Sequence, residues 1–319
     1  MSPRIAVIGC GNWGRNHIRT LKEIGALAAV ADQDAERVKA FGEQFNVSAL
    51  SPDEAIAAKD IDALVLALPA QAHGPTARKA IAAGKDVLIE KPIALDPADA
   101  EATAKAAADH GQLMMVGHVL RYHPVYQRLA EAIREDRIGP VRHIIANRLG
   151  LGRFFTMDAV WDLAPHDLSL VLPIADAMPS KVETLRRTVL GDDTDAADIA
   201  LEFPNGITAE IHVSRVSPYR DRRFSVIGED GMIVFDDLAP EGQKLALYAH
   251  RVWRTGDHFS FENANPVYLP VEPGLPLDRE LRHFIDCVAH RRQPDTGPAE
   301  AVETVRILSQ ASPVIPLSL

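Results

Sequence analysis

The chain has 319 residues, 47% hydrophobic and 24% charged, which is typical of a globular protein with room for two domains. Its net charge of -10 argues against a nucleic-acid or anionic-membrane partner, because no basic block offsets it. The first residues show no signal-peptide pattern, no apolar run reaches the roughly 18 residues of a membrane span, and two cysteines predict neither a disulfide nor a metal site. We therefore expect a cytoplasmic protein with no metal.

A glycine-rich turn near the start predicts a dinucleotide site. An apolar strand over residues 4–8 runs into a GxGxxG motif, and a helix is predicted over residues 12–24. The first glycine permits a tight turn, the second lets the backbone approach a pyrophosphate, and the third lets helix pack on strand. The helix N-terminus then offers free N–H groups to the phosphates. The predicted cofactor-binding residues here are Gly9, Gly11, Asn12, Trp13 and Gly14.

The end of the second strand indicates which dinucleotide is bound. A strand over residues 27–31 ends at Asp32, where a carboxylate accepts hydrogen bonds from the hydroxyls of the adenosine ribose. Asp32 and Asp34 would both repel a 2′-phosphate, and the next arginine, Arg37, is five residues beyond Asp32. The pattern therefore favours NAD over NADP.

Buried strands and helices then alternate. Strands are predicted over residues 63–68, 86–91 and 113–118, with helices over residues 73–83 and 97–110 between them. This alternation is typical of a parallel doubly wound sheet.

The ends of these strands carry further candidate residues, because ligands of such sheets bind outside the carboxyl ends of the strands. Pro69 and His73 follow one strand, Glu90 and Lys91 end the next, and Pro92 stops it. We predict that these side chains border the cofactor, with His73 as a wall residue and Lys91 beside the reactive ring. The alternative for Lys91 is a surface lysine that caps a strand.

Longer amphipathic strands replace the buried ones beyond residue 121. The glycine turns between them are typical of hairpins, so we expect an antiparallel sheet with one face on helices and the other available to a partner subunit. The predicted fold class is α/β, with an NAD-binding Rossmann domain over residues 1–120 and a substrate-binding and oligomerisation α+β domain over residues 121–319. The last helix, over residues 299–309, is expected to pack back on the first domain.

Asp162 and His166 form a second candidate site. A helix that starts near Asp162 would place Pro165 in its first turn, where no N–H is missed, and would place Asp162 and His166 on one face. The alternative is that Asp162 is only an N-cap and His166 a satisfied buried histidine. Asp167 points elsewhere around the helix and is expected to anchor it or to bind substrate.

The motifs along the chain form a set. In order, they are the GxGxxG, Leu68-Pro69 with His73, Glu90-Lys91-Pro92, Gly117-His118 with Arg121-Tyr122-His123-Pro124, Arg137-Ile138-Gly139, Asp162 with His166-Asp167, and Phe284-Ile285-Asp286. This set resembles the glucose–fructose oxidoreductase / inositol dehydrogenase family (Gfo/Idh/MocA). The resemblance implies NAD(P)-dependent oxidation of sugars, cyclitols or nucleotide-linked sugars, and a second domain built on an open, mostly antiparallel sheet. It also implies association through that sheet, as a homodimer or homotetramer, and catalytic roles for Lys91, Asp162 and His166.

Oxidation of a secondary alcohol removes a hydride from carbon and a proton from the hydroxyl. His166, which titrates near neutral pH, is suited to be the base. Asp162 can orient it or accept a substrate hydroxyl, and Lys91 can stabilise the developing alkoxide.

The substrate is predicted from arginines in the second half of the chain, which suit bidentate phosphate recognition but could equally be solvated sheet residues. Tyr122 and Trp161 could stack on a uracil or a sugar, or pack in a core. We expect oxidation at C3 of a nucleotide-linked sugar such as UDP-N-acetylglucosamine; the alternatives are a free cyclitol or sugar dehydrogenase and a non-catalytic NAD-binding sensor. The arginines are Arg148, Arg153, Arg215, Arg220, Arg222 and Arg223, and the predicted substrate-binding residues are Arg121, Tyr122, Arg148, Arg153, Trp161 and Asp167.

Overall fold

The computed structural model describes residues 2–152, 157–190 and 193–311, and the chain divides into two units. The first unit contains Met1–Tyr122 and Gly274–Arg306, and the second contains His123–Pro273 and Ile307–Leu319. The sequence placed residues 121–319 in one domain and predicted that only its last helix packs back on the first, whereas the structure groups all of Gly274–Arg306 with the first unit. The reason is that helical side chains of this segment complete the core of the first unit.

Short apolar strands form the sheet of the first unit. All of its strands run parallel in the order β3-β2-β1-β4-β5-β6, so the predicted doubly wound sheet is confirmed. The order reverses between β1 and β4, and ligands bind in such a crevice at the carboxyl ends of the strands. The elements are β1 (Ile5–Ile8), α1 (Gly14–Ile24), β2 (Leu27–Ala31), α2 (Ala35–Phe45), β3 (Ser48–Leu50), α3 (Pro52–Ala57), β4 (Ala63–Leu66), α4 (Ala70–Ala82), β5 (Asp86–Glu90), α5 (Pro97–His110) and β6 (Met114–Gly117).

A mixed, mostly antiparallel sheet of eight strands forms the second unit, in the order β16-β13-β12-β11-β7-β10-β9-β8. β7 and β10 pair in parallel, and the other neighbours are antiparallel. A separate hairpin, β14 with β15, was not predicted. The elements are α6 (Pro124–Arg134), β7 (Val141–Leu151), α7 (Ala159–Ala175), β8 (Lys181–Arg187), β9 (Ala196–Glu202), β10 (Thr208–Ser214), β11 (Val216–Gly228), β12 (Met232–Asp236), β13 (Leu245–Tyr248), β14 (Arg251–Thr255), β15 (His258–Glu262) and β16 (Val267–Tyr268).

Helices α6 and α7 cover one face of this second sheet. Tyr126 of α6 packs edge-on against Phe224 of β11, and its hydroxyl donates to the carbonyl of Leu170 in α7 at 3.0 Å. Phe224 pairs with Ala146 of β7, and both are buried. We call the face of the second sheet that α6 and α7 cover the helix face, and the opposite face the open face.

The last two helices, α8 (Pro276–His290) and α9 (Pro298–Gln310), follow the second sheet in sequence. Leu281 and Phe284 of α8 are fully buried with Ile18 and Leu21 of α1 in the core of the first unit. Thr296 ties the connecting segment to β6, because its hydroxyl donates to the carbonyl of Val116 at 2.7 Å. Within the described ranges, no helix combines the length and apolar character that crossing a membrane requires.

Candidate active site

The glycine-rich turn has the geometry of a phosphate cradle. Gly9 has φ of 104°, and a Cβ there would lie 2.3 Å from the carbonyl oxygen of Ala67. A Cβ on Gly14 would lie 1.8 Å from the carbonyl oxygen of Gly9, so its absence serves this turn as well as helix packing. Gly11 differs, because a Cβ on it would meet nothing within 4 Å. The space in front of Gly11 and the N-terminus of α1 therefore fit a dinucleotide pyrophosphate.

Asp32 is held at the end of β2 by backbone donors. It accepts hydrogen bonds from the N–H of Cys10 at 2.7 Å and from the N–H of Asp34 at 3.0 Å. Arg37, although five residues beyond Asp32, folds back onto both carboxylates, with Nη1 3.5 Å from Asp32 Oδ1 and Nη2 3.0 Å from Asp34 Oδ2. The positive charge of Arg37 therefore partly offsets the repulsion that Asp32 and Asp34 would exert on a 2′-phosphate.

Glu90 is a buried carboxylate with several donors around it. Trp13 donates its indole N–H to Glu90 Oε1, His17 Nε2 lies 2.7 Å from the same oxygen, and the N–H of Lys91 donates to Oε2 at 3.2 Å. Burial raises the pKa of Glu90, but the hydrogen bond and charge of His17, with Trp13 and Lys91, outweigh burial and hold the pKa below its ordinary value. Glu90 is therefore negatively charged beside Lys91.

Gly117 at the end of β6 makes room for this carboxylate. A Cβ at Gly117 would lie 2.9 Å from Glu90 Oε1, closer than side chains tolerate. His17 was missed at the sequence level, because its partner lies 73 residues away and the sequence shows no pattern that links them.

Lys91 leaves β5 through a cis peptide bond to Pro92. His73 lies beside it and is buried, and its Nδ1 donates to the carbonyl of Pro92 at 2.7 Å. Burial lowers the pKa of His73, which makes it a weak base. This favours the wall role over acid–base chemistry.

His118 was also missed as a site residue. It is buried at the end of β6, and neither ring nitrogen has a hydrogen-bond partner among the described residues. Burial and the charge of Arg121 lower its pKa to about 3. His118 is thus a neutral imidazole close to the charges of Glu90 and Lys91.

Arg121 and Tyr122 both contact the C-terminal segment of the first unit. Arg121 forms an ion pair with Glu300 at 3.1 Å, and Tyr122 is buried with its hydroxyl 3.4 Å from that of Thr296. Both side chains hold the C-terminal segment of the first unit on β6. Tyr122 therefore packs in a core, one of the two alternatives for it, and the guanidinium of Arg121 is paired with a carboxylate.

Helix α7 begins earlier than predicted. Asp158 is its N-cap and accepts the N–H of Trp161 at 3.0 Å, so the alternative of Asp162 as N-cap is wrong. Pro165 is the seventh helical residue, not one of the first turn, and it cannot donate to the carbonyl of Trp161. Asp162 and His166 nevertheless remain one turn apart on one side of the helix, and both are half-buried, as is Trp161.

Asp167 and Arg148 pair with each other. Arg148 donates from Nε and Nη2 to the two oxygens of Asp167, each at 2.7 Å, and the Asp167 side chain is 2% exposed. This bidentate pair fastens α7 to β7, so both residues have a structural partner in place of the predicted substrate. Arg153, another predicted ligand, lies outside the described residues.

The candidate residues thus form one group in each unit: the glycine turn, Asp32, Glu90 and Lys91 in the first, and Asp162 and His166 in the second. Among the described residues, no group of three or more His, Cys, Asp or Glu side chains is placed to hold a metal ion.

Two family models match the chain, one in each unit. Residues 3–118 match the NAD-binding Rossmann fold of the GFO/IDH/MocA oxidoreductases, and residues 126–234 match the C-terminal domain of the same family. The chain belongs to the Gfo/Idh/MocA family. It is therefore an NAD-binding oxidoreductase, and the alternative of a non-catalytic sensor is set aside.

Several relatives are similar over most of the chain. A UDP-N-acetylglucosamine 3-dehydrogenase of Acidithiobacillus ferrooxidans is 32% identical over 291 residues, 91% of this chain and 90% of that protein. A 4-carboxy-2-hydroxymuconate-6-semialdehyde dehydrogenase of Sphingobium sp. is 33% identical, covering 96% and 97%. An inositol 2-dehydrogenase of Acidothermus cellulolyticus is 30% identical, covering 77% and 76%.

The fold of a solved structure matches as well. A UDP-N-acetylglucosamine 3-dehydrogenase structure from Acidithiobacillus ferrooxidans superposes with a TM-score of 0.83 at 28% identity, covering 97% of this chain and 96% of the other.

Proposed function

We propose that this enzyme oxidises a secondary alcohol of a nucleotide-linked sugar, at C3 of a substrate such as UDP-N-acetylglucosamine, with NAD as the acceptor. The observation that carries the proposal is the 32% identity over 91% of the chain to a UDP-N-acetylglucosamine 3-dehydrogenase. The lysine after a buried carboxylate and the Asp162–His166 pair on α7 supply the groups that alcohol oxidation needs.

In the proposed reaction, His166 accepts the proton of the hydroxyl that is oxidised. His73 and His118 are poorly suited to this role, because burial lowers the pKa of both imidazoles. Asp162, one turn earlier on α7, orients His166 or accepts a neighbouring substrate hydroxyl.

Lys91 stabilises the negative charge that develops on the alcohol oxygen. The carboxylate of Glu90 attracts the ammonium of Lys91 and so helps to hold it at the end of β5. Gly11 and the N-terminus of α1 would hold the pyrophosphate of NAD, and Asp32 its adenosine ribose. The bound cofactor would supply the hydride acceptor.

A free cyclitol or sugar is the second candidate substrate, supported by the 30% identity to an inositol 2-dehydrogenase. Because that relative covers a smaller share of the chain, the nucleotide sugar is preferred.

The test is NADH formation at 340 nm by the purified enzyme with NAD. The substrates are UDP-N-acetylglucosamine, other UDP- and dTDP-sugars, inositol isomers and free hexoses. Turnover with UDP-N-acetylglucosamine and C3 oxidation in the isolated product support the proposal. Turnover of inositol or a hexose alone would contradict the nucleotide-sugar proposal and make that compound the substrate. A parallel set of assays contains a 2-oxoacid, which regenerates NAD if NADH stays bound to the enzyme.

We also propose a homodimer or homotetramer that associates through the open face of the second sheet. This face carries a groove of about 580 Å³ between β11, β12, β13 and β16. Its lining includes Met232, Val234, Tyr248 and Tyr268, which give it an apolar surface that a second copy could cover.

A further inference from the structure

The arginines of the second unit are not equivalent. Arg220 is exposed, and Arg153 lies outside the described residues. Arg222 is half-buried, and its guanidinium has neither a hydrogen bond nor an ion pair with any residue that the structure describes. The other three form ion pairs with buried aspartates, Arg148 with Asp167, Arg215 with Asp195 and Arg223 with Asp221.

The strand register places Arg222 on the helix face. Arg222 of β11 lies directly opposite Arg148 of β7. Phe224 and Val226, which follow at two-residue steps on the same face, are buried. Because Arg148 reaches Asp167 of α7, Arg222 also lies beside the helix that carries His166.

The charges around Arg222 do not balance. Arg148 occupies both oxygens of Asp167, so this carboxylate already has a cationic partner. The nearby carboxylate of Asp237 lies 3.6 Å from His123 and 3.8 Å from Lys244. Burial, and then the charge of Arg148, lower the pKa of Arg222. The charged form of Arg222 is therefore less favourable here than in water.

A glycine keeps this guanidinium accessible. A Cβ on Gly150 of β7 would lie 3.5 Å from Nη2 of Arg222. A longer side chain at position 150 would therefore cover the arginine, whereas glycine leaves its donors open. The site thus offers a half-buried planar cation with several N–H donors and no hydrogen-bond or ion-pair partner among the described residues, which matches the oxygens of a phosphate or carboxylate.

We propose that Arg222 binds an anionic group of the substrate and thereby selects for anionic substrates. This inference deepens the proposed function and rests on it for the choice of the diphosphate of a nucleotide sugar as the anion. The carboxylate of an acidic substrate would bind the guanidinium in the same way. The binding experiment distinguishes a diphosphate from a carboxylate.

The experiment measures binding to the full chain with NAD present, by isothermal titration calorimetry. The probes are UDP for the diphosphate, uridine as its uncharged counterpart, and muconate for a carboxylate. The variants are Arg222→Gln, Arg222→Lys and, as a matched control, Arg223→Gln, which changes a neighbouring arginine on the open face that is already paired with Asp221. Thermal melting checks that each variant is folded. If Arg222→Gln does not fold, Arg222→Lys provides the test.

We expect Arg222→Gln to weaken binding of UDP roughly 10- to 100-fold, the range for a lost charge-assisted hydrogen bond. Arg222→Lys should lie between Arg222→Gln and the wild type, because the charge stays but the planar fork is lost. Arg223→Gln should match the wild type, and uridine should bind all forms equally. If only muconate depends on Arg222, the anion is a carboxylate.

The inference is wrong if Arg222→Gln binds both anions as the wild type does, or if Arg223→Gln loses as much affinity. Its failure is distinct from that of the proposed function. If no nucleotide sugar is turned over but anion binding needs Arg222, the proposed function is wrong and the anion site stands. If UDP-N-acetylglucosamine is turned over but its binding does not depend on Arg222, the proposed function stands and the anion site is wrong.

Discussion

Lys91 and Glu90 bring opposite charges together at the end of β5. Glu90 stays ionised because Trp13 and His17 supply hydrogen bonds to its buried carboxylate. The ammonium that follows it therefore has a fixed negative neighbour on the protein side and can respond to negative charge on a substrate.

Replacing Lys91 with alanine should lower kcat/KM for the alcohol roughly 100- to 10,000-fold, because both charge stabilisation and a proton carrier are lost. His166→Ala should cost less, since Lys91 can take part of the proton transfer. The measurement is NADH absorbance at 340 nm, with NAD affinity determined separately. Lys79→Ala is the control, because Lys79 is an exposed lysine on α4 that pairs with Asp53. Activity of Lys91→Ala within a few-fold of the wild type would contradict the mechanism.

Asp32 and Arg37 allow a prediction on cofactor choice. Asp32→Ser removes the carboxylate that repels a 2′-phosphate and releases Arg37, now held near both aspartates, to bind it. We expect KM for NAD to rise about tenfold and KM for NADP to fall by a similar factor. The double variant Asp32→Ser/Arg37→Ala should lose the gain with NADP. If it kept that gain, Arg37 would have no part in cofactor choice.

The sequence indicated the positions of those candidate residues that are defined by neighbours in the chain, and their roles in binding and catalysis stay predictions. The glycines of the turn are set by their spacing, and Glu90 and Lys91 by the end of a buried strand. The partners of Glu90 come from α1, and those of Arg121 and Tyr122 from the segment near Thr296 and Glu300. These contacts join residues 73 or more positions apart, and no local pattern reveals them.

At the level of the helix, α8 carries an acid in the core. Glu280 is fully buried, and neither carboxylate oxygen has a partner among the described residues. Burial and the charge of Glu90 raise its pKa well above the ordinary value of 4.5. Because the folded state holds this proton more tightly than the unfolded state, the contribution to stability is largest below pH 4.5 and is lost as the pH rises toward the folded pKa.

Glu280→Gln should therefore reduce the loss of stability as the pH rises above 4.5, because the amide does not ionise. Glu280→Met, which also removes the unpaired polar atoms, should raise the free energy of unfolding at pH 8 by about 1–3 kcal/mol. Thermal melts across the pH range measure both effects. Glu43→Gln, an exposed change on α2, is the control and should follow the wild type. A wild-type pH dependence in Glu280→Gln would rule out a raised pKa.

Helix α7 shows where a local signal misleads. Proline favours the first turn of a helix, so Pro165 points to a start near Asp162. The structure places that proline in the second turn, because Asp158 caps the helix and the Arg148–Asp167 pair fastens it to the sheet. Tertiary contacts thus stabilise a helix that propensity alone would shorten.

For the whole molecule, the open face of the second sheet yields a test of assembly. Val234→Glu would place a charge in the groove between β11 and β13, and we expect it to shift the enzyme toward the monomer. Light scattering after size-exclusion chromatography measures the mass. Val189→Glu, at an exposed position outside the groove, is the control and should leave the mass unchanged. Equal masses for both variants and the wild type would place the contact elsewhere.

Local patterns predicted both folds, but of Gly274–Arg306 only the last helix was expected to pack on the first domain. Alternation of strands and helices revealed the first sheet, and hairpin glycines the second. The return of Gly274–Arg306 to the first unit depends on which apolar surface Leu281 and Phe284 meet, and amphipathic helices do not specify that surface by their own sequence.

The split of the first unit has a consequence for synthesis. Tyr122 and Phe284 share one core, yet the whole of residues 123–273 separates the two segments that carry them. A ribosome therefore releases the six strands of the first sheet long before α8 can cover them, while the second sheet can form as an uninterrupted stretch. Helix α1 therefore keeps an uncovered apolar side until α8 has been synthesised.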